Sequence, residues 1–313
     1  MSVLNQPHFQ DEEAAFAKLE SIVWPNGPVC AHCGAMDRIY SLAGVKSKPS
    51  KKNPEGIVRH GLKKCGHCRQ QFTARVGTVF ESSHIPLHKW FQISHLLCSS
   101  KKGISSHQLH RILKISYKAA WFASHRLREA MRSGGFAPPM GSGGGIVEVD
   151  ETFIGKKMRR GWAHKHAVLT LVDRRGEARS VHVDGTSAKE VVPKVLENLA
   201  FEAKVVADEA GQYRNLHIDV REHHVVKHID GEWGRGDIHT NTVEGYFSIF
   251  KRGMKGVYQH CSEKHLHRYL AEFDFRYNAR SALGVEDEQR AEKALKGIQG
   301  KRLTYRTANG KEA

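Results

Sequence analysis

The sequence has no uninterrupted apolar run of the roughly 18 residues that a membrane span requires, so a transmembrane helix is excluded. Its opening residues lack the apolar stretch of a signal peptide, because Asp11, Glu12 and Glu13 arrive first, and a cytoplasmic chain is expected. Cysteine is scarce. Of six, four form two Cys-x-x-Cys pairs and Cys98 and Cys261 stand alone, which argues against a disulfide framework and for metal ligation in a reducing compartment. No internal repeat occurs. Acidic residues are nearly missing from one region, since residues 38–128 carry 18 Lys/Arg against Glu55 and Glu81 alone. The whole chain has 49 Lys/Arg and 33 Asp/Glu, a net charge of +16, with a pI near 9.6. The excess therefore resides in that one segment and the remainder is balanced, which points to a strongly anionic partner.

Length and punctuation divide the chain. At roughly 100 to 200 residues per domain, 313 residues correspond to about two domains, with length enough for a sizeable core. Residues 1–28 read as an N-terminal helix, with Glu13, Phe16, Leu19 and Val23 at one-face spacing, closed by Trp24-Pro25-Asn26-Gly27-Pro28. Residues 29–85 read as a small module of short strands, at 38–42 and 71–80, around a Lys/Ser/Pro-rich loop at 46–54. Residues 86–131 turn helical, with Leu87, Trp90, Phe91 and Leu97 followed by Leu109, Ile112 and Leu113, then by Ala119, Ala120, Phe122 and Ala123. Residues 132–145, rich in glycine and proline, are expected to form a flexible linker. A second domain spans 146–282. Strands are expected at 146–150, 166–172 and 178–183, with a hairpin turn at Asp173-Arg174-Arg175-Gly176, then a helix at 188–200. Strands at 204–208 and 224–229 precede helix from Asn241 almost to Arg280, and residues 283–313 read as a C-terminal tail. The expected architecture is multidomain: a mostly small β and α N-terminal part, then an α/β domain with a mixed sheet.

Cys30-Ala31-His32-Cys33 and Cys65-Gly66-His67-Cys68 bring four soft thiolates together if the chain folds back, the donor set of a tetrahedral structural zinc site. Gly34 and Gly66 sit where tight knuckle turns need them. Four unligated buried cysteines are the competing reading, and His32 and His67 read as surface residues. Farther on, Lys101-Lys102-Gly103-Ile104-Ser105-Ser106 leads into a helix, Lys114-Ile115-Ser116 forms a turn, and a second helix begins at Tyr117. Two short helices about a tight turn, with Ser105 and Ser116 as N-caps, predict a helix-turn-helix. Lys101, Lys102, Lys118, Arg126 and Arg128 are its candidate contacts to DNA phosphates or base edges. The alternative is an ordinary helical hairpin with a solvated basic face.

In the second domain Asp150 and Asp208 each end an apolar strand, and Glu244 lies in the first turn of the helix that begins near Asn241. Two aspartates on adjacent strands and a glutamate on a covering helix can surround hard divalent cations such as Mg²⁺ or Mn²⁺, as a two-metal site requires. Lys251, seven residues beyond Glu244, shares its exposed face and can reach a substrate phosphate. Each acid also has a structural reading. Asn241 to Glu244 fits a capping box, Asp208 could cap the turn before Gly211, Asp150 could pair with the basic stretch at 156–160, and Glu148 is a rival ligand.

These motifs resemble a known family, the zinc-ribbon DDE transposases of bacterial insertion sequences, the ISXO-like group. The resemblance is carried by the two cysteine pairs, Phe72, Gly77-Thr78-Val79-Phe80-Glu81, Ile85-Pro86-Leu87 and Trp90-Phe91. It continues through Val149-Asp150-Glu151-Thr152, Ala207-Asp208, His239-Thr240-Asn241 and Glu244 to Lys251-Arg252-Gly253, and so runs in order over residues 30–280. It implies an RNase H-like catalytic domain that binds double-stranded DNA at the element's terminal inverted repeats. It also implies metal-dependent cleavage and strand transfer into target DNA, in a nucleoid-associated bacterial protein that forms a homo-oligomer in the synaptic complex. In some members of that group an asparagine is the third catalytic residue, which makes Asn241 the competitor of Glu244. A DNA-binding regulator with an inactive RNase H-like domain and a structure-selective nuclease are the alternatives.

Overall fold

The computed structural model describes residues 2–51, 53–133, 137–155 and 166–303. Along the chain run helix α1 (Glu12–Val23), strands β1 (Ile39–Ser41), β2 (Lys63–Cys65) and β3 (Gln71–Phe72), and helices α2 (Leu87–Ser99), α3 (Ser106–Leu113) and α4 (Tyr117–Met131). Strands β4 (Ile146–Ile154), β5 (His166–Asp173) and β6 (Ala178–Val183), helix α5 (Ala188–Leu196), and strands β7 (Lys204–Asp208) and β8 (Glu222–Val226) follow. Helices α6 (Asn241–Gly253), α7 (Glu263–Asn278) and α8 (Asp287–Lys296) complete the order. The chain divides into two units, and the division is not sequential: the first holds the residues up to Ser100, Ile104–Met131 and the chain from Asp287 onward, and the second holds Lys101–Gly103 and Arg132–Glu286.

In the first unit, α1 starts where the Asp11 carboxylate accepts from the Ala14 amide at 2.8 Å, and it buries Ala15, Phe16 and Leu19. Glu12, in its first turn, accepts from the Leu87 and His88 amides and so caps α2. The three short strands form an antiparallel sheet, with Ile39 opposite Cys65 and Lys63 opposite Phe72. The strand expected at 71–80 ends at Phe72, because the chain then turns about Arg75, whose guanidinium donates to the carbonyls of Phe80 and Ser83. The described part of the expected tail is not a tail: residues 287–296 form a packed helix. Helix α8 packs on α2, α4 and α1 and buries Ala291, Ala294 and Leu295, while Arg290 donates to the Cys98 carbonyl at 2.9 Å.

The second unit is a five-stranded mixed sheet in the order β6-β5-β4-β7-β8. Strands β4, β5 and β6 are antiparallel neighbours, whereas β7 runs parallel to β4 and β8 parallel to β7. Strand alternation sorts the two faces. Val147, Val149, Leu169, Leu171, Val205 and Ala207 pack with Val191 and Val195 of α5. Ile154, Val168, Val172 and Ala178 pack with Val243, Phe247 and Phe250 of α6 and Leu266, Leu270 and Phe273 of α7. The continuous helix expected from Asn241 is interrupted by a wider turn at Met254–Tyr258. The expected linker is in part structural: Met140 is buried, the Gly141 amide donates to Asp173 at 3.0 Å, and Gly141, at φ +76°, has no room for a Cβ against Ala203. The remainder of that linker at 134–136 and the basic stretch at 156–160 lie outside the described residues.

Candidate active site

The cysteine pairs converge. All four Sγ atoms lie within 4.8 Å of one another, with Cys30 to Cys68 at 3.6 Å and Cys33 to Cys65 at 3.7 Å. A tetrahedron with Zn–S bonds of about 2.3 Å has edges of about 3.8 Å, so the donor set and its spacing both fit zinc. Local turns hold each pair: the Gly34 amide donates to the Cys30 carbonyl and the Cys30 amide to the Ala35 carbonyl, and Gly34 takes φ +77°. Burial pushes the Cys30 thiol up, but nearby backbone amides of His32 and Cys33 outweigh it and bring the pKa down to about 7. At Cys68 the Gln70 amide is outweighed by burial and the three other sulfurs, which push that thiol up to about 12, so four thiolates side by side call for a cation. The buried cluster at the centre of this module is small, Cys30, Cys65 and Phe72 with Trp24, Ile39 and Val76 partly buried against it, so little apolar packing competes with the metal as its organiser.

The acids of the second unit are arranged by strand register. Ile146 pairs with Lys204 and Glu148 with Val206, an offset of 58 that also separates Asp150 from Asp208. Alternation puts both aspartates on the sheet face that α6 covers. Burial, then the charge of Asp208, pushes the Asp150 carboxyl up to about 7. Asp208 is also raised, mainly by burial, although the Ala210 amide hydrogen-bonds to it and partly offsets this. Two carboxylates raised by burial, one of them also by the charge of the other, are an arrangement that a divalent cation would relieve. Glu244 contributes to the same field at Asp150 but stays 47% exposed. The three acids do not close into a cluster within 4.8 Å among the described residues.

Glu148 is not a ligand candidate. Its side chain is fully buried and accepts from the amides of Thr242 and Val243 at 2.8 and 2.9 Å, from the Thr242 hydroxyl at 2.7 Å and from Arg174 Nε at 2.8 Å. It caps α6 from the neighbouring strand, with its charge at the positive end of the helix. The capping box expected of Asn241 and Glu244 is therefore not formed. Thr240 is the N-cap residue, Asn241 is exposed, and the Glu244 carboxylate accepts from the Thr240 hydroxyl at 2.9 Å. Lys251 extends its ammonium over the Phe247 ring, 5.8 Å from its centroid.

Further groups border the site. His228 Nε2 lies 3.3 Å from the Thr240 hydroxyl and 3.7 Å from Glu244. Glu209 accepts from the His228 and Ile229 amides, fastening the chain after β8 to the end of β7. Glu151 points to the opposite face, where Tyr213 and Gln212 donate to it at 2.5 and 3.0 Å. His228 carries no sequence signal, since its role comes from the adjacency of β7 and β8.

The basic candidates divide. Lys101, Lys102 and Lys118 are exposed. Arg126 and Arg128 are not available to phosphates: both are buried, and Arg126 donates to the carbonyls of Val79 and Glu81 at 2.9 and 2.8 Å. The reason is that α4 is covered on more than its apolar stripe, by α2, α3 and α8. Helices α3 and α4 join through Lys114, in the left-handed conformation, and the Ser105 and Ser116 hydroxyls accept from the Gln108 and Ala119 amides.

Residues 143–278 match the ISXO2-like transposase domain, and residues 10–71 match the transposase zinc-ribbon domain. The chain is also 27% identical over 297 residues to an uncharacterized protein in transposable element ISH50 of Halobacterium salinarum, covering 86% of this chain and 91% of that one.

Proposed function

The chain belongs to the insertion-sequence transposases that join a zinc ribbon to an ISXO2-like transposase domain, and from that premise we propose that it binds the terminal inverted repeats of its element and catalyses DNA cleavage and strand transfer. In this reading the second unit is RNase H-like, a sheet whose first three strands are antiparallel and whose next two run parallel to the first. Asp150, Asp208 and Glu244 would hold two Mg²⁺ or Mn²⁺ ions. When bound, such ions polarise the scissile phosphate and stabilise the attacking and leaving oxygens. The observation that carries the proposal is the placing of Asp150 and Asp208, two half-buried carboxylates on one sheet face two residues beyond the paired Glu148 and Val206, with the charge of Asp208 raising the Asp150 carboxyl.

The chain's own groups do the remainder. Asp150 and Asp208 would present carboxylate oxygens to the ions from the sheet side, and Glu244, held at α6 by the Thr240 hydroxyl, would present its own from the helix side. Lys251 neutralises a phosphate oxygen on the same helix face. Water first attacks the phosphorus at the element end and releases a 3′ hydroxyl. That hydroxyl then attacks a target phosphodiester, and the displaced target 3′ oxygen leaves. The zinc ribbon and the α3–α4 pair, read as a helix-turn-helix, bind the element end through Lys101, Lys102 and Lys118. Two copies of the chain would bring two ends together.

Oligonucleotides that carry the element ends, incubated with the protein and Mg²⁺ or Mn²⁺, test this reading. Cleavage followed by joining to a second DNA is the expected result. Cleavage without joining would favour a structure-selective nuclease, and binding without cleavage a regulator. Glu244→Gln should reduce strand transfer more than roughly 100-fold with binding intact, since losing a direct ligand exceeds the cost of losing a supporting contact. Asn241→Ala should stay near wild type. The reverse pair of results would transfer the third role to Asn241.

A further inference from the structure

A second group of ligand-type side chains stands apart from both sites. His166 opens β5, His182 lies near the end of β6, and Glu263 is the first residue of α7. In the sheet, Val168 pairs with His182 and packs toward α6 and α7. His166 is two residues from Val168, so both imidazoles leave the sheet on the α7 side. His166 Nδ1 approaches one Glu263 oxygen at 3.8 Å and His182 Nε2 approaches the other at 4.0 Å, and one donor atom from each of the three lies within 4.8 Å of the others. These separations exceed a hydrogen bond. Among the described residues none of the three side chains has another hydrogen-bond partner, although both imidazoles are mostly buried, with side chains 24% and 21% exposed.

We propose that His166, His182 and Glu263 form a second transition-metal site, for a divalent ion of the zinc class, with an open position left for water. Two imidazoles and one carboxylate select zinc and its neighbours over Mg²⁺, which prefers oxygen throughout. An ion at bonds of about 2.0–2.2 Å draws the three donors together from their present spacing with side-chain adjustment alone. The site is distinct from the aspartate pair. His166 pairs with Ile154, four residues beyond Asp150 and thus roughly 13 Å along β4 at a rise of about 3.3 Å per residue. Its effect is mechanical: it fastens the start of α7 to the β5–β6 pair.

Full-length zinc-loaded protein, titrated with Co²⁺ in excess Mg²⁺, provides the test. Total zinc plus cobalt per chain is counted by elemental analysis, and the cobalt spectrum is inspected for thiolate charge transfer. Two ions per chain are expected in the wild type and in Asp150→Asn, with the cobalt in the second position lacking a thiolate band. One ion is expected in His182→Ala and Glu263→Gln, with the Cys₄ zinc retained as evidence of folding. A single ion in the wild type, or a second ion that survives His182→Ala or is lost with Asp150→Asn, would overturn the proposal.

Discussion

The Cys₄ centre and the acidic site are built in opposite ways. Each cysteine pair lies within one short turn, and the β1–β2 pairing of the same small module, with Ile39 opposite Cys65, sets the two turns side by side so that four sulfurs reach tetrahedral spacing. The acids come from two strands and a helix, and only the two aspartates, set by strand register, are brought side by side. A site assembled locally holds its geometry and its module together. A site assembled across elements depends on the whole sheet and is left to be drawn closed by its ions and substrate. The largest expected effect follows from the first half of that contrast. Cys65→Ser/Cys68→Ser should remove zinc and, with it, on the order of 10 kcal/mol of apparent binding free energy that organises the ribbon. Metal analysis and amide hydrogen exchange are the measurements: zinc retention, or full protection of β1 to β3 without zinc, would break the comparison.

Within the second unit the sharper contrast is between Glu148 and Glu244, two acids at the start of one helix. Glu148 is buried and binds four donors, whereas Glu244 is half exposed. Removing the charge in Glu148→Gln leaves Arg174 beside an uncharged amide and weakens the cap, and should cost about 3–5 kcal/mol in urea unfolding. Glu244→Gln should cost less than about 1 kcal/mol. Equal costs would mean that Glu244 is structural as well.

The aspartates allow a signed prediction in pH. The Asp150 carboxyl is raised from 3.8 to about 7, so the folded chain binds its proton more tightly than the unfolded chain. The ionised form therefore destabilises the fold. The penalty is absent below about pH 4, grows as pH rises toward 7 and is complete above it, at no more than about 4 kcal/mol. In Mg²⁺-free buffer Asp150→Asn should melt higher than wild type at pH 8 and equally at pH 4. Adding Mg²⁺ should raise the wild type and not the variant. A lower melting temperature for Asp150→Asn at pH 8 would show that the pair is not under electrostatic strain.

What was legible in the sequence was what local pattern encodes: the cysteine knuckles, the end of β7, and the 58-residue spacing that matches a strand register, whereas β4 does not end at Asp150 as expected but runs on to Ile154, because its pairing with β5 continues to His166. Glu148 looked like a ligand because a buried strand acid gives no sign of which helix will descend on it. Arg126 and Arg128 looked like phosphate contacts because one helix shows its apolar stripe but not its neighbours. Here a neighbour is α8, more than 150 residues away in the chain. His228 was invisible for the same reason.

The smallest effect concerns those cations and divides exposed charge from buried charge. Each exposed lysine that meets a phosphate releases counterions, so Lys118→Ala should lower the slope of log binding constant against log salt by about 1, with little change in stability. Arg126 should behave in the opposite way. Its guanidinium holds the carbonyls of Val79 and Glu81, so Arg126→Lys should lower the melting temperature while the salt slope of the folded protein stays unchanged. Binding titrations at several salt concentrations, run well below the variant's melting point, separate the two. If Arg126→Lys reduced the slope by a full unit with an unchanged melting temperature, its side chain would have to leave the interior to meet DNA, and the division between the two kinds of cation would fall.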